Sequence, residues 1–312
     1  MIGKRIVQSA IVIVLVTFVV FILIKMVPGD PILNFLGPNA TEESIAYYTH
    51  LYGYDKPLVV QYFKWMQGLL TRGEMGFSVF YQADVSTFIF ERLGVTLNIV
   101  AFAFIIAVVF GIIFGVIAAL QRGKILDSII SFVANIGVSM PAFWIGIILI
   151  YSLAMRMHLL PTSGYTDISQ GVWPWLRSLI MPVLVVAFSP LASFTRQTRS
   201  SMLEVLRQDY VVTAKSKGLK RMRIILKHQL KNGLIPIVTI MGTRLGGMLG
   251  DTVLVESVFV LPGLGGLLIS GIRNRDYMIV ADSVMIIAVF VALCNLLVDI
   301  LYGIIDPRIR NH

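Results

Sequence analysis

The sequence predicts an all-α polytopic membrane protein with six transmembrane helices and both termini in the cytoplasm. Three observations carry that reading. Of 312 residues, 57% are apolar and only 14% are charged, where an ordinary soluble domain carries about 25% charged residues. Apolar runs long enough for a bilayer core of about 30 Å, roughly 20 residues of helix, recur six times. The Lys and Arg residues collect between alternate runs, as cytoplasmic loops require.

The first run, 6–27, follows Lys4 and Arg5. Its apolar core is too long for a secretory signal and no small-residue cleavage site follows, so it reads as a retained helix. Lys25, near its outer end, snorkels. The second run, 95–120, is uninterrupted, whereas the third, 126–155, contains Pro141 and the fourth, 176–197, contains Pro182 and Pro190. Prolines kink such helices. The fifth, 233–258, is the most interrupted by glycine, and the sixth, 279–303, ends before an Asp306-Pro307 stop.

With the N-terminus inside, two basic residues fall near the N-terminus, two at 121–125, ten between 196 and 231 and two at the C-terminus. That is sixteen of the 26 Lys and Arg. The same orientation puts Asp30, Glu42, Glu43, Asp55, Glu74, Asp84 and Glu91 outside, between the first two spans. That stretch mixes turn signals with a helical candidate at 41–51 and the aromatics Tyr62, Phe63 and Trp65. The chain is thus expected to divide into a first transmembrane helix (1–28), an extracytoplasmic cap (29–94) and a core of five helices (95–312) holding a cytoplasmic loop at 198–232.

The net charge of +9 suits a basic-looped membrane protein; with no nucleic-acid module in the chain, no nucleic-acid partner is expected. Cys294 is the single cysteine, and the four histidines, His50, His158, His228 and His312, are scattered. No catalytic, metal or cofactor site is therefore expected. Gly3-Lys4 and Gly123-Lys124 are followed by Arg5 and Ile125, so neither completes a P-loop. The chain carries no ATPase site of its own. "PGLGGLLISG", 262–271, lacks the third glycine of a dinucleotide-binding turn and reads as an external turn returning to the membrane.

The most polar run is "TAKSKGLKRMRIILKHQLKNG", 213–233. Its pattern is helical from Leu203 to Ser216, breaks at Gly218, and resumes with Leu219, Met222, Leu226 and Leu230 on one face. Lys220, Arg221, Arg223, Lys227 and Lys231 occupy mainly other faces. Such a basic amphipathic element suits an anionic lipid surface or a docked protein equally well.

"DYVVTAKSKGLKRMRIILKHQLKNGLIPIVT" resembles the EAA loop of permease subunits in binding-protein-dependent ABC importers, in the form found in dipeptide, oligopeptide and nickel permeases. "PGDP" after the first run, "SMPAFWIGIIL", "VESVFVLPGLGGLL", "NRDYMIVADSV" and "NLLVDILYGIIDPRIR" agree with that family in order and spacing. The general E-A-A-x-x-x-G pattern is matched only at Ala214 and Gly218. The resemblance implies a type I ABC importer permease fold in a bacterial or archaeal cytoplasmic membrane. It also implies a heterodimer with a second homologous permease, two cytoplasmic ABC ATPases that use ATP and Mg, and an extracytoplasmic solute-binding protein. Met202 to Lys217 would be the coupling helix, with Asp209, Tyr210, Ala214, Lys215, Lys217 and Gly218 coupling to the ATPase. The solute would be a di- or oligopeptide, or alternatively nickel or a metal chelate. Outside the family the alternatives are a secondary transporter, which needs no docking helix, and an intramembrane protease, for which no Ser/His or Asp/Asp pair is in place.

Charges inside a span cost about 2.5–3.5 kcal/mol at the helix centre and mark function by default. Arg244 and Asp251, seven residues apart in the fifth run, share a helix face and are candidates for the translocation pathway, with Pro141. Gly242, Gly246 and Gly250 are spaced for close helix packing.

Overall fold

The computed structural model describes residues 2–26, 29–38 and 40–305. Pro28 of the "PGDP" stretch, the Asp306-Pro307 stop, Arg308 and Arg310 lie outside the described residues. In chain order the helices are α1 (Ile2–Met26), α2 (Pro31–Leu36), α3 (Glu42–Leu51), α4 (Leu58–Arg72), α5 (Val85–Leu120), α6 (Ile125–Ser139), α7 (Ala142–Leu149), α8 (Val172–Val205), α9 (Asp209–Ser216), α10 (Arg221–Arg223), α11 (Leu230–Gly233), α12 (Ile235–Phe259), α13 (Leu264–Asn274) and α14 (Tyr277–Ile305). Ile150–Arg156 and Ile224–Gln229 are π-helical. A two-residue antiparallel pair, β1 (Phe77–Ser78) and β2 (Ala83–Asp84), sets Phe77 opposite Asp84.

α1, α5, α8 and α14 are each long and apolar enough to cross a membrane. Two bent pairs bring the number of spans to six if each pair counts as one: α6 meets α7 and its π-helical extension at 110°, and α10–α11 meet α12 at 52°. The third expected span is therefore broken, not merely kinked. Pro141 has no N–H to donate to a continuing helix, and Met140 before it is extended (φ −85°, ψ 133°), as a residue preceding proline prefers. Pro182 and Pro190, by contrast, lie inside α8, which stays helical through both.

The chain forms two compact units, Met1–Leu97 with Val260–Ala292, and Asn98–Phe259 with Leu293–His312. In the first, local signals set the short helices. The Asp30 carboxylate accepts from the Ile32 N–H (2.8 Å) with Pro31 opening α2, and Thr41 and Ser44 form a capping box on α3. Phe21, Tyr62, Trp65, Ala281 and Met285 build one core, and Met75, Val85, Ile89, Leu264, Leu267 and Ile279 another. The "PGLGGLLISG" segment, expected as a turn, forms most of α13. Leu264 and Leu267 bury its inner face, and the Leu264 N–H donates to Thr96 Oγ1 (2.9 Å) at the helix start.

In the second unit, small residues let helices approach closely. A Cβ on Gly115 of α5 would stand 2.4 Å from Thr198 Cβ and 2.7 Å from the Thr195 carbonyl of α8, and one on Gly242 would stand 2.4 Å from Val298. Gly250, expected to share the tight seam with Gly242, is open, with nothing within 4 Å of its Cβ position.

Candidate functional site

The basic loop between α8 and α12 is built from short pieces. α8 ends at Val205, and two turn bonds, Arg207 N–H to Glu204 O and Gln208 N–H to Val205 O (both 3.2 Å), redirect the chain before α9 begins. The helix expected from Met202 to Lys217 is thus two elements. Met202 belongs to α8, fully buried, and its sulfur lies 2.9 Å from where a Cβ on Gly233 would be. α9 closes with the Lys217 N–H on Thr213 O (3.1 Å) and the Leu219 N–H on Ala214 O (3.4 Å), and between them Gly218 takes φ +74°. That left-handed conformation is open to glycine without strain.

Among the expected coupling residues, Asp209, Lys217 and Gly218 are exposed, and Tyr210 is 38% exposed. The Tyr210 hydroxyl accepts from Asn232 Nδ2 (3.0 Å), which ties the start of α9 to the end of the loop. Ala214, expected on a contact face, points inward; it packs with Val211, Leu219 and Ile224 in a small core joining the two arms. Its small volume lets the arms approach. Lys215 is in α9, its side chain outside the described residues.

The second arm also differs from its expected face. Met222 and Leu226 are 63% and 58% exposed, whereas Ile224, Ile225 and Gln229 are buried. The helix begins only at Arg221, after an extended Lys220 (φ −57°, ψ 136°), so Leu219 and Met222 do not share a helix face, and the π-helical run Ile224–Gln229, with i→i+5 bonding, shifts the phase again at Leu226. The outer surface therefore sets two exposed apolar side chains among Lys220, Arg221, Arg223 and Lys227.

Deeper in the same unit, α8 and α12 enclose a cleft of about 580 Å³ lined by Ser193, Arg196, Gln197 and Ser200 from α8 and Thr243 and Arg244 from α12. Arg244 thus faces a polar space. Asp251 is exposed on the same helix but does not line the cleft, and Pro141, which opens α7, is not there either.

Two arrangements carried no sequence signal. Arg199, counted only as one of many loop cations, makes a bidentate pair with Asp127 of α6 (Nε–Oδ1 2.6 Å, Nη2–Oδ2 2.9 Å). Gly123 N–H and Ser131 Oγ also donate to that carboxylate. In the other unit, Lys25 is held among aromatic rings. Its ammonium sits 4.5 Å from the Tyr54 ring centroid, 4.6 Å from Tyr277 and 5.6 Å from Phe21, and donates to Gln61. Burial holds the Tyr54 phenol well above its ordinary range, so that ring stays neutral. Tyr54 and Gln61 also line a cavity of about 240 Å³ with Tyr52, Trp65, Lys64 and Phe77.

Residues 111–311 match the family described as the binding-protein-dependent transport system inner membrane component, and residues 1–100 match the N-terminal family of the same membrane components. A probable peptide ABC transporter permease protein of Sinorhizobium fredii is 40% identical over 307 residues, covering 98% of both chains. The oligopeptide transport system permease protein AppB of Bacillus subtilis is 37% identical, again over 98% of both. The di/tripeptide transport system permease protein DppB of Pseudomonas aeruginosa is 38% identical over 95% of this chain and 94% of its own. Among solved structures, the inward-facing MetNI methionine ABC transporter shares the fold at 16% identity, with a TM-score of 0.54 over 68% of this chain and 93% of that one.

Proposed function

This chain belongs to the inner membrane components of binding-protein-dependent transport systems, multi-pass permease components of ABC importers that work with ATPase and binding-protein partners, and from that premise we propose that it carries peptides across the cytoplasmic membrane. Relatives named for peptide, oligopeptide and di/tripeptide transport, at 37–40% identity over nearly the whole chain, support the substrate class. The chain pairs with a second, homologous permease, and two cytoplasmic ATPases supply ATP and Mg chemistry. In this reading both termini and the 198–232 loop are cytoplasmic, and residues 29–94 form an extracytoplasmic cap that receives the binding protein.

The observation that carries the coupling role is the loop's construction. α9 stands apart from α8 beyond a three-residue break, and it is bound to the second arm by the Ala214 core, the Tyr210–Asn232 bond and the Gly218 turn. A compact two-armed element joined directly to two spans transmits a push as a rigid body, as alternating access demands. In this reading Asp209, Tyr210, Lys215 and Lys217 meet the ATPase, while Ala214 and Gly218 hold the shape that presents them. Arg244, Asp251 and Pro141 belong to the solute's path.

The test is reconstitution of the complete transporter in proteoliposomes. Uptake of a labelled peptide is expected to require ATP, Mg and the binding protein together. Uptake by this chain alone, driven by an ion gradient, would make it a self-sufficient carrier.

A further inference from the structure

We propose that Arg196 and Arg244 form an anion-reading site on the translocation path, selecting solutes that carry a carboxylate, such as the C-terminus of a peptide, over free metal cations. The inference rests on the permease reading above and adds to it a residue pair and the charge of the solute.

Two arginines from two different spans line one polar cleft whose other polar walls are hydroxyls and an amide: Ser193, Gln197, Ser200 and Thr243. A guanidinium stays charged at any working pH. Among the described residues neither Arg196 nor Arg244 takes part in an ion pair. The contrast with Arg199, one turn along α8 from Arg196, is informative. Arg199 is neutralised by a bidentate bond to Asp127, so this fold supplies a carboxylate where it needs an arginine for structure. Neither arginine of the cleft has a carboxylate at salt-bridge distance among the described residues, and Arg244 feels the charge of Asp251 only at longer range. Asp251, two turns further along α12, does not line the cleft.

The cleft's volume of about 580 Å³ falls within the roughly 300–1,000 Å³ of small-molecule sites. A low-dielectric wall bearing charge of one sign concentrates the opposite ion. The planar fork of each guanidinium matches a carboxylate in two-point contact. A hydrated divalent cation meets only repulsion there, so of the family's two solute classes the pair favours a peptide, or a chelate whose net charge is negative.

The test uses the complete transporter in nanodiscs, with Cys294→Ala removing this chain's single native thiol, Ser200→Cys placing a near-isosteric probe in the cleft, and labelling read on this chain by mass spectrometry. A negatively charged sulfonatoethyl methanethiosulfonate and its positively charged trimethylammonium counterpart are compared, each normalised to its rate with free cysteine. The anionic reagent is expected to react about tenfold faster or more, the lower end of the enrichment known for charged clefts. Adding Arg196→Gln and Arg244→Gln should bring the ratio near one. Equal rates before those changes, a preference that survives them, or no reaction with either reagent overturns the proposal.

A second readout compares uptake of a peptide with a free C-terminus against uptake of its C-terminal amide. The double glutamine variant should lose about tenfold on the free acid and little on the amide, with binding-protein-stimulated ATP hydrolysis retained; an equal loss on both contradicts carboxylate reading. Absence of ATP-dependent uptake in the unmodified transporter would instead refute the permease reading, and the thiol ratio would still report on the cleft.

Discussion

Gly218 offers the sharpest handle on the coupling element, because its geometry separates two ways in which a substitution can fail. A Cβ at this position meets nothing within 4 Å, so no clash inside the chain opposes a larger residue. What opposes it is the backbone: φ is +74°, and a residue with a Cβ in the left-handed region costs roughly 1–2 kcal/mol. Asparagine visits that region several-fold more readily than most residues, and a β-branched residue almost never does. The penalty should therefore rise from Asn to Ala to Val. Since about 1.4 kcal/mol is a factor of ten, Gly218→Ala should shift the equilibrium away from the correctly closed turn by roughly five- to 25-fold, and Gly218→Val by more. The assay is ATP-dependent peptide uptake by the reconstituted transporter, with the amount of each variant inserted in the membrane measured alongside. Uptake should fall in the order Gly, Asn, Ala, Val at equal insertion. Wild-type uptake by Gly218→Val would refute the argument, and equal failure of Asn and Val would show that bulk against a partner, not the sign of φ, governs the position.

Three further outcomes follow from the packing. The Asp127 side chain is only 7% exposed and that of Arg199 31%, so Arg199→Gln, which strands a buried carboxylate, should destabilise by about 3 kcal/mol. Asp127→Asn leaves a guanidinium free to turn toward solvent and should cost nearer 1 kcal/mol; chemical denaturation of the purified chain in detergent reads the difference, and an effect of equal size or reversed order contradicts it. Gly115→Ala should cost about 1–3 kcal/mol through forced separation of α5 and α8, whereas Gly250→Ala should leave the isolated chain unchanged or slightly more stable; a denaturation midpoint shared by the two would be inconsistent with the contacts. Trp65 Nε1 donates to Asp282 Oδ1 (2.9 Å), and Asp282 Oδ2 has no partner among the described residues. Trp65→Phe should accordingly cost about 1–3 kcal/mol, and Asp282→Leu in the same chain should recover part of it.

The membrane character, the helical class and the basic loop were all legible, because each rests on composition or on long runs that average over many residues. Local signals were legible too: the 41–51 candidate is a helix over Glu42–Leu51, and Gly218 proved to be a left-handed turn. What failed were inferences that needed an exact number of residues per turn or a distant partner. The apolar face at Met222 and Leu226 assumed one unbroken helix from Leu219, where the chain is extended at Lys220 and π-helical from Ile224. The Met202–Lys217 helix missed a three-residue break that no Gly or Pro announces. The α4 helix was hidden because its buried Tyr62 and Trp65 face a core shared with Phe21 of α1 and with Ala281 and Met285 of α14, far along the chain. Of the site, Arg244 stood out by its cost inside a span, but Arg196 looked like one more loop cation until the fold set it across the cleft from Arg244.

The central claim is that this chain works as one permease within a larger ATP-driven importer. Affinity purification of the tagged chain from its native membranes in mild detergent, with co-purifying chains identified by mass spectrometry, tests that most directly. The account predicts recovery of P-loop ATPases together with a second, homologous permease, and loss of the ATPases, with the second permease retained, when Gly218→Val is introduced. Recovery of this chain alone, repeatedly and at full yield, would contradict it and return the 206–233 loop to the lipid surface.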